Sequence, residues 1–164
     1  MVAARRSKGF TLLEILIAVI LVGVSIAALV VANTSFTLAN GTGADISTAE
    51  FLVEQIRELT ATLPVMDPDT TNPTFGIEGG ETTLADYDDV DDFDNLTFSP
   101  PIAADRTVLN DFAAFSQQVI VQNVSASNFD TVVADGSSDF FRITVTVSLN
   151  GNQLSSTSWI RALY

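Results

Sequence analysis

Eighteen consecutive residues, Ile15 to Ala32, carry no charge. With the residues just ahead, the apolar stretch runs from Phe10 to Ala32, 23 residues interrupted only by Thr11, Glu14, Gly23 and Ser25. About 20 apolar residues cross a hydrocarbon core as a helix. A cleaved secretory signal has a shorter apolar centre followed by a small-residue cleavage site, and no such site follows here. Arg5, Arg6 and Lys8 precede the span. The positive-inside rule then leaves residues 1–9 in the cytoplasm and sends the remainder outward.

Glu14 is the one acid at the head of this stretch. A carboxylate in a membrane helix costs about 2.5–3.5 kcal/mol at the centre and less near an end, so it needs a partner. No Lys or Arg lies within helical reach on its C-terminal side. A cut after Gly9 would make the α-amino group of Phe10 a cation at the same depth. That amine would lie about one turn from Glu14 in its own chain, or meet Glu14 of a staggered neighbour head on. The second pairing supplies a rule for stacking subunits.

The basic leader ending in Lys8-Gly9, then Phe10-Thr11-Leu12-Leu13-Glu14, then the apolar helix, resembles the N-terminus of type IV prepilins and type II secretion pseudopilins, the class III cleavage and methylation motif. The resemblance implies that a membrane prepilin peptidase cuts between Gly9 and Phe10 and methylates Phe10. It implies that Glu14 is the assembly glutamate. The implied partners are the peptidase, other pilin subunits, an inner-membrane assembly platform and the lipid bilayer.

The formal net charge is −13 over 164 residues. Removal of the leader would leave four arginines against twenty acids, a net −16 with no lysine. A basic footprint for nucleic acid is missing. The chain has neither Cys nor His. Disulfides, Ser-His-Asp triads, Cys–His pairs and His/Cys zinc sites are therefore excluded. Many pilins clamp a C-terminal loop with a disulfide, and this chain departs from them. The inventory argues against an enzyme.

In chain order, residues 1–9 read as a leader and 10–39 as a transmembrane or filament-core helix. Asn40-Gly41-Thr42-Gly43 reads as an interruption, either a hinge or locally melted segment or a plain break, because each glycine costs about 1 kcal/mol in a helix interior. Residues 40–63 then read as an amphipathic helix. Ala49, Leu52, Val53, Ile56, Leu59 and Leu63 recur at three- and four-residue steps, Asp45 or Ser47 is a candidate cap, and Pro64 ends it. Residues 64–164 read as a β-rich head that opens with a loop punctuated by Pro and Gly at 64–84.

Six Asp fall within the nine residues Asp86–Asp94, in an acidic loop at 86–95. One reading is a solvated loop pinned by Tyr87, Val90 and Phe93. The other is a Ca²⁺ site built from Asp88, Asp89, Asp91, Asp92 and Asp94, since Ca²⁺ takes six to eight oxygen ligands. The pattern lacks the glycine and distal Glu of an EF-hand. The loop is similar to acidic loops of minor pilins of the mannose-sensitive haemagglutinin and PilV-like type.

Residues 117–124 are β-branched and read as a strand, and 125–139 as a loop. Phe141, Ile143, Val145, Val147 and Leu149 alternate with polar residues and predict a half-buried strand. Asn150-Gly151 predicts a two-residue hairpin into Leu154–Leu163. Simple pairing would set Ser156 and Ser158 on the apolar face, which a β-bulge would correct. The expected fold is α+β and pilin-like, a long N-terminal helix against an antiparallel sheet of three or four strands. The expected function is a structural subunit, a minor pilin of a type IV pilus-like filament. It begins as a single-pass precursor of the bacterial inner membrane with the head outside. The alternatives are a type II secretion pseudopilin, or a tethered Ca²⁺-dependent adhesin that never polymerises.

Overall fold

The computed structural model describes residues 9–67 and 75–163. The rest of the expected leader, including Arg5, Arg6 and Lys8, lies outside the described residues, as do 68–74 of the expected loop. The chain divides into two compact units, Met1–Gly43 and Ala44–Tyr164.

Helix α1 spans Leu12–Ala61, 50 residues. In the first unit its side chains are exposed, and Leu12, Leu29, Val31 and Phe36 are each more than 65% accessible. Its most apolar window has a mean hydropathy of 3.1 and is long enough to cross a membrane. The hydroxyls of Ser25, Thr34, Ser35, Thr37 and Thr42 each donate to the carbonyl four residues earlier, at 2.8–3.1 Å. That back-bonding satisfies these hydroxyls within the helix itself.

The expected interruption at Asn40-Gly41-Thr42-Gly43 does not occur, and all four residues are helical. Extending a helix costs far less than nucleating one, so two glycines lower helix stability here without ending it. Asp45 and Ser47 are therefore helix-interior residues and not caps.

In the second unit the stripe read from the sequence is the buried one. Ala49, Leu52, Val53, Ile56, Leu59 and Thr60 are all buried. The helix stops at Ala61, three residues before Pro64. No basic residue lies in its last turn; instead the Arg161 guanidinium, from the far end of the chain, donates to the Thr60 carbonyl and, at 3.0 Å, to that of Leu63.

Among the described residues the sheet has five antiparallel strands, against three or four expected: β1 (Thr97–Phe98), β2 (Phe115–Ser125), β3 (Asn128–Val132), β4 (Phe140–Leu149) and β5 (Asn152–Ala162). The order is β1-β2-β4-β5, with β3 also on β2. Strand β3 falls in the segment read as loop; all five of its residues are exposed, so it has no apolar alternation to betray it. Phe141, Ile143, Val145 and Val147 are fully buried and join the α1 stripe in one core.

Asn150 and Gly151 both take positive φ, 50° and 81°, the left-handed pair of a type I′ hairpin turn. Leu149 pairs with Asn152 and Ser148 with Gln153, and then the register shifts so that Val147 faces Ser155. Leu154 is the extra residue of this bulge. Beyond it Ser156, Ser158 and Ile160 are exposed, while Ser155, Thr157, Trp159 and Arg161 are half-buried.

Two polar side chains stand on the core face of β2, and each has its amide oxygen and its amide nitrogen engaged in hydrogen bonds. Gln117 accepts from Ile102 N–H at 2.7 Å and donates to the carbonyls of Leu52 and Ile102 at 2.8 and 3.2 Å. Asn123 accepts from the N–H groups of Ser137 and Ser138 and donates to the carbonyls of Ser138 and Phe140.

Candidate functional site

Two places carry chemistry, one in each unit. The first is the start of α1. Gly9 and Phe10 precede the helix, outside any regular element, and Phe10 is 82% exposed. Thr11 caps the helix: its carbonyl accepts from Ile15 N–H at 3.3 Å and its hydroxyl from Glu14 N–H at 3.3 Å. Glu14 Oε2 reaches back to accept from the N–H and the hydroxyl of Thr11, at 2.9 and 3.0 Å. This is a reciprocal capping box, a Thr followed three residues later by Glu. Thr-x-x-Glu ahead of an apolar run is a helix-start signal readable in the sequence, and the reading of Glu14 as an acid in need of a cation does not include it. Glu14 therefore has an intrachain role that a lone intramembrane acid would lack. All of these carboxylate contacts use Oε2, which leaves Oε1 for a group from elsewhere.

The second place is the acidic loop. Its apolar members anchor it: Val90 and Phe93 are fully buried, and Tyr87 meets the Phe93 ring edge-on at 5.6 Å. Val90 N–H donates to the Pro64 carbonyl at 3.1 Å, tying the loop to the end of α1. Arg106 donates to the carbonyls of Leu84, Ala85 and Tyr87, the last at 2.6 Å. It braces the loop through backbone carbonyls rather than carboxylates.

The Asp residues then take different roles. Asp86 is a local cap: Oδ2 accepts from the N–H groups of Thr82 and Thr83 and from both hydroxyls, and those bonds hold its carboxyl below the usual range. Asp94 Oδ1 accepts from Val121 N–H at 2.7 Å, filling a donor on the edge of β2, and Oδ2 accepts from Asn95. The structure does not bring Asp94 into the carboxylate groups formed by its neighbours, because the strand edge has claimed it.

Asp89, Asp91 and Asp92 are fully buried. One oxygen of Asp89 accepts from the N–H groups of Asp91 and Asp92, at 3.0 and 3.2 Å. One oxygen of Asp92 accepts from those of Asp88 and Asp89, at 3.0 and 3.3 Å. The opposite oxygens, Asp89 Oδ2 and Asp92 Oδ1, are buried without a partner, as are both oxygens of Asp91 and Oε1 of Glu78. Carboxylate oxygens of Glu78, Asp89 and Asp92 lie within 4.8 Å of one another, and so do those of Glu81, Asp88 and Asp92.

Crowded, desolvated carboxylates resist ionisation. Burial pushes Asp89 up to about 8 and Asp91 up to about 6. Burial, with repulsion from Asp89 next in weight, lifts Glu78 to about 7. Burial also raises Asp92, to about 7, and the neighbouring Glu81 and Asp89 add to that. Of the expected ligands the structure assembles Asp88, Asp89 and Asp92, with Asp91 buried beside them. It adds Glu78 and Glu81, which the sequence reading missed. The signal for them is Glu78-Gly79-Gly80-Glu81, two acids flanking a turn shortly before the Asp run.

No curated protein and no solved structure matches the chain. Residues 4–30 match the family model described as the prokaryotic N-terminal methylation motif. That segment covers Gly9, Phe10, the Thr11–Glu14 capping box and all but the last two residues of the apolar stretch ending at Ala32, so the chain carries a type IV pilin/pseudopilin-like class III signal.

Proposed function

We propose that the chain is a structural subunit, a minor pilin of a type IV pilus-like filament, made as a membrane-anchored precursor with its head outside. A prepilin peptidase cuts after Gly9 and methylates Phe10. The apolar part of α1 then leaves lipid and packs against other subunits on an assembly platform, with the Phe10 amine of one copy meeting Glu14 of the next.

The observation that carries the reading is the match over residues 4–30 on a helix whose apolar side chains the chain itself leaves uncovered. An exposed apolar surface of that size needs lipid or protein around it. The capping box supports the same reading. It fixes Glu14 at the first turn, a few residues from the amine the cut would create, with Oε1 still available. The acidic loop and β-rich end favour a minor subunit, by their resemblance to minor pilins.

Mass spectrometry of the native protein tests this directly. The expected product begins at Phe10 and is one methyl group heavier than the unmodified chain. A native protein that keeps residues 1–9 would rule the reading out. If processing is as expected but deletion of the chain abolishes protein secretion and leaves pili intact, the subunit belongs to a type II secretion pseudopilus.

A further inference from the structure

We propose that Glu78, Asp89 and Asp92 bind one Ca²⁺ ion, with Glu81 and Asp88 on its flank through the shared Asp92. Two oxygens bonded to one Ca²⁺ at about 2.4 Å stand at most about 4.8 Å apart, and the carboxylate oxygens of both groups meet that limit.

An acidic loop alone would not carry this, since charge runs are usually solvated. Here the loop is turned inward: Asp89, Asp91 and Asp92 are fully buried, and the oxygens opposite the hydrogen-bonded ones have no partner. Backbone N–H groups orient one oxygen of Asp89 and of Asp92 and leave the other bare. Hydrogen-bonded carboxylates held in this way are what metal ligands look like from behind.

The protein supplies no cation of its own among the described residues. Arg57 pairs with Glu54 and lies over Trp159, Arg106 and Arg161 hold backbone carbonyls, and Arg142 holds Gln122 and the Phe129 carbonyl. An all-oxygen donor set with no Cys or His suits Ca²⁺ rather than zinc or copper. Mg²⁺ demands a tighter octahedron and gives up its waters reluctantly. A bound ion would pin Glu78 and Glu81 to the Asp run and close the loop that delivers Val90 and Phe93 to the core. The proposal stands apart from filament assembly, and its failure would leave that reading untouched.

The test uses the full chain in detergent, stripped with chelator and melted with and without Ca²⁺, following the single tryptophan, Trp159. At a hundredfold excess over Kd, Ca²⁺ is expected to raise the midpoint by about 10 °C, and Mg²⁺ at the same concentration by clearly less. The double variant Asp89→Asn/Asp92→Asn removes buried repulsion, so it should melt no lower than stripped wild type and should not respond to Ca²⁺. Glu78→Gln, outside the Asp run, should lose most of the response as well. A wild-type midpoint unmoved by millimolar Ca²⁺ would mean that protons neutralise the carboxylates, and would overturn the proposal. An undiminished shift in Glu78→Gln would place the ion among exposed acids, with the same consequence.

Discussion

The side-chain amide of Gln117, in the middle of β2, donates a 2.8 Å hydrogen bond to the main-chain carbonyl of Leu52 on α1, 65 residues away in the chain. The same amide bonds both backbone groups of Ile102. One buried side chain thus joins the helix, the sheet and the segment leading out of the acidic loop. A buried hydrogen-bonding group left without its partner costs about 1–3 kcal/mol.

Gln117→Ala is therefore expected to destabilise the head by about 3 kcal/mol, from the orphaned Ile102 N–H and the cavity together. Gln117→Glu keeps the acceptor for Ile102 but turns a carboxylate toward two carbonyls, and should be at least as damaging. Denaturant unfolding followed at Trp159 measures both; a loss below about 1 kcal/mol for either would contradict the role.

Arg161 ends α1 from a distance. The last helical carbonyls need donors; the Arg161 fork supplies one at Thr60 and also holds the Leu63 carbonyl just past the helix end. Arg161→Ala should cost about 1–2 kcal/mol. Arg161→Lys should recover only part of it, since a single ammonium cannot reproduce the planar fork. Hydrogen exchange should show faster opening of amides at 57–61 in both variants, and unchanged exchange there would remove the capping role.

Glu14 combines two jobs that substitution can separate. Gln serves at the third position of a capping box as Glu does, but it brings no charge. Glu14→Gln is expected to keep the helix start and normal leader cleavage while losing incorporation into filaments; Glu14→Ala should lose both the cap and incorporation. Immunoblots of sheared filaments and of membranes read the two outcomes. Wild-type incorporation of Glu14→Gln would show that the cap, and not the charge, is what assembly needs.

The second half of the sheet was legible because its signals are local. Strict alternation over Phe141–Leu149, the Asn150-Gly151 turn and the misfit of Ser156 and Ser158 were enough to predict the hairpin and its bulge. The stripe from Ala49 to Leu59 was legible for the same reason, with the helical period in place of the strand period. Strand β3 was hidden because none of its side chains is buried, and β1 because two residues make no pattern.

The interruption expected at Asn40–Gly43 shows the limit of propensity. Glycine lowers the stability of each turn, but it does not stop a helix already under way. The acidic loop shows a different limit. Seen as a string, Asp86 to Asp94 are six similar acids. In the fold Asp86 caps a turn, Asp94 completes a strand edge, and Asp89, Asp91 and Asp92 go inside.

What the sequence determined by itself was whatever depends on neighbours a few residues apart. It dictated an apolar helix headed by a single acid, the capping box that starts it, the buried face of its amphipathic part and the terminal hairpin. The tertiary structure decided which polar groups meet across long stretches of chain: Gln117 with Leu52, Arg161 with Thr60, and Glu78 and Glu81 with the Asp run. Those meetings depend on how loops close over a packed core, and periodicity carries no record of loop closure.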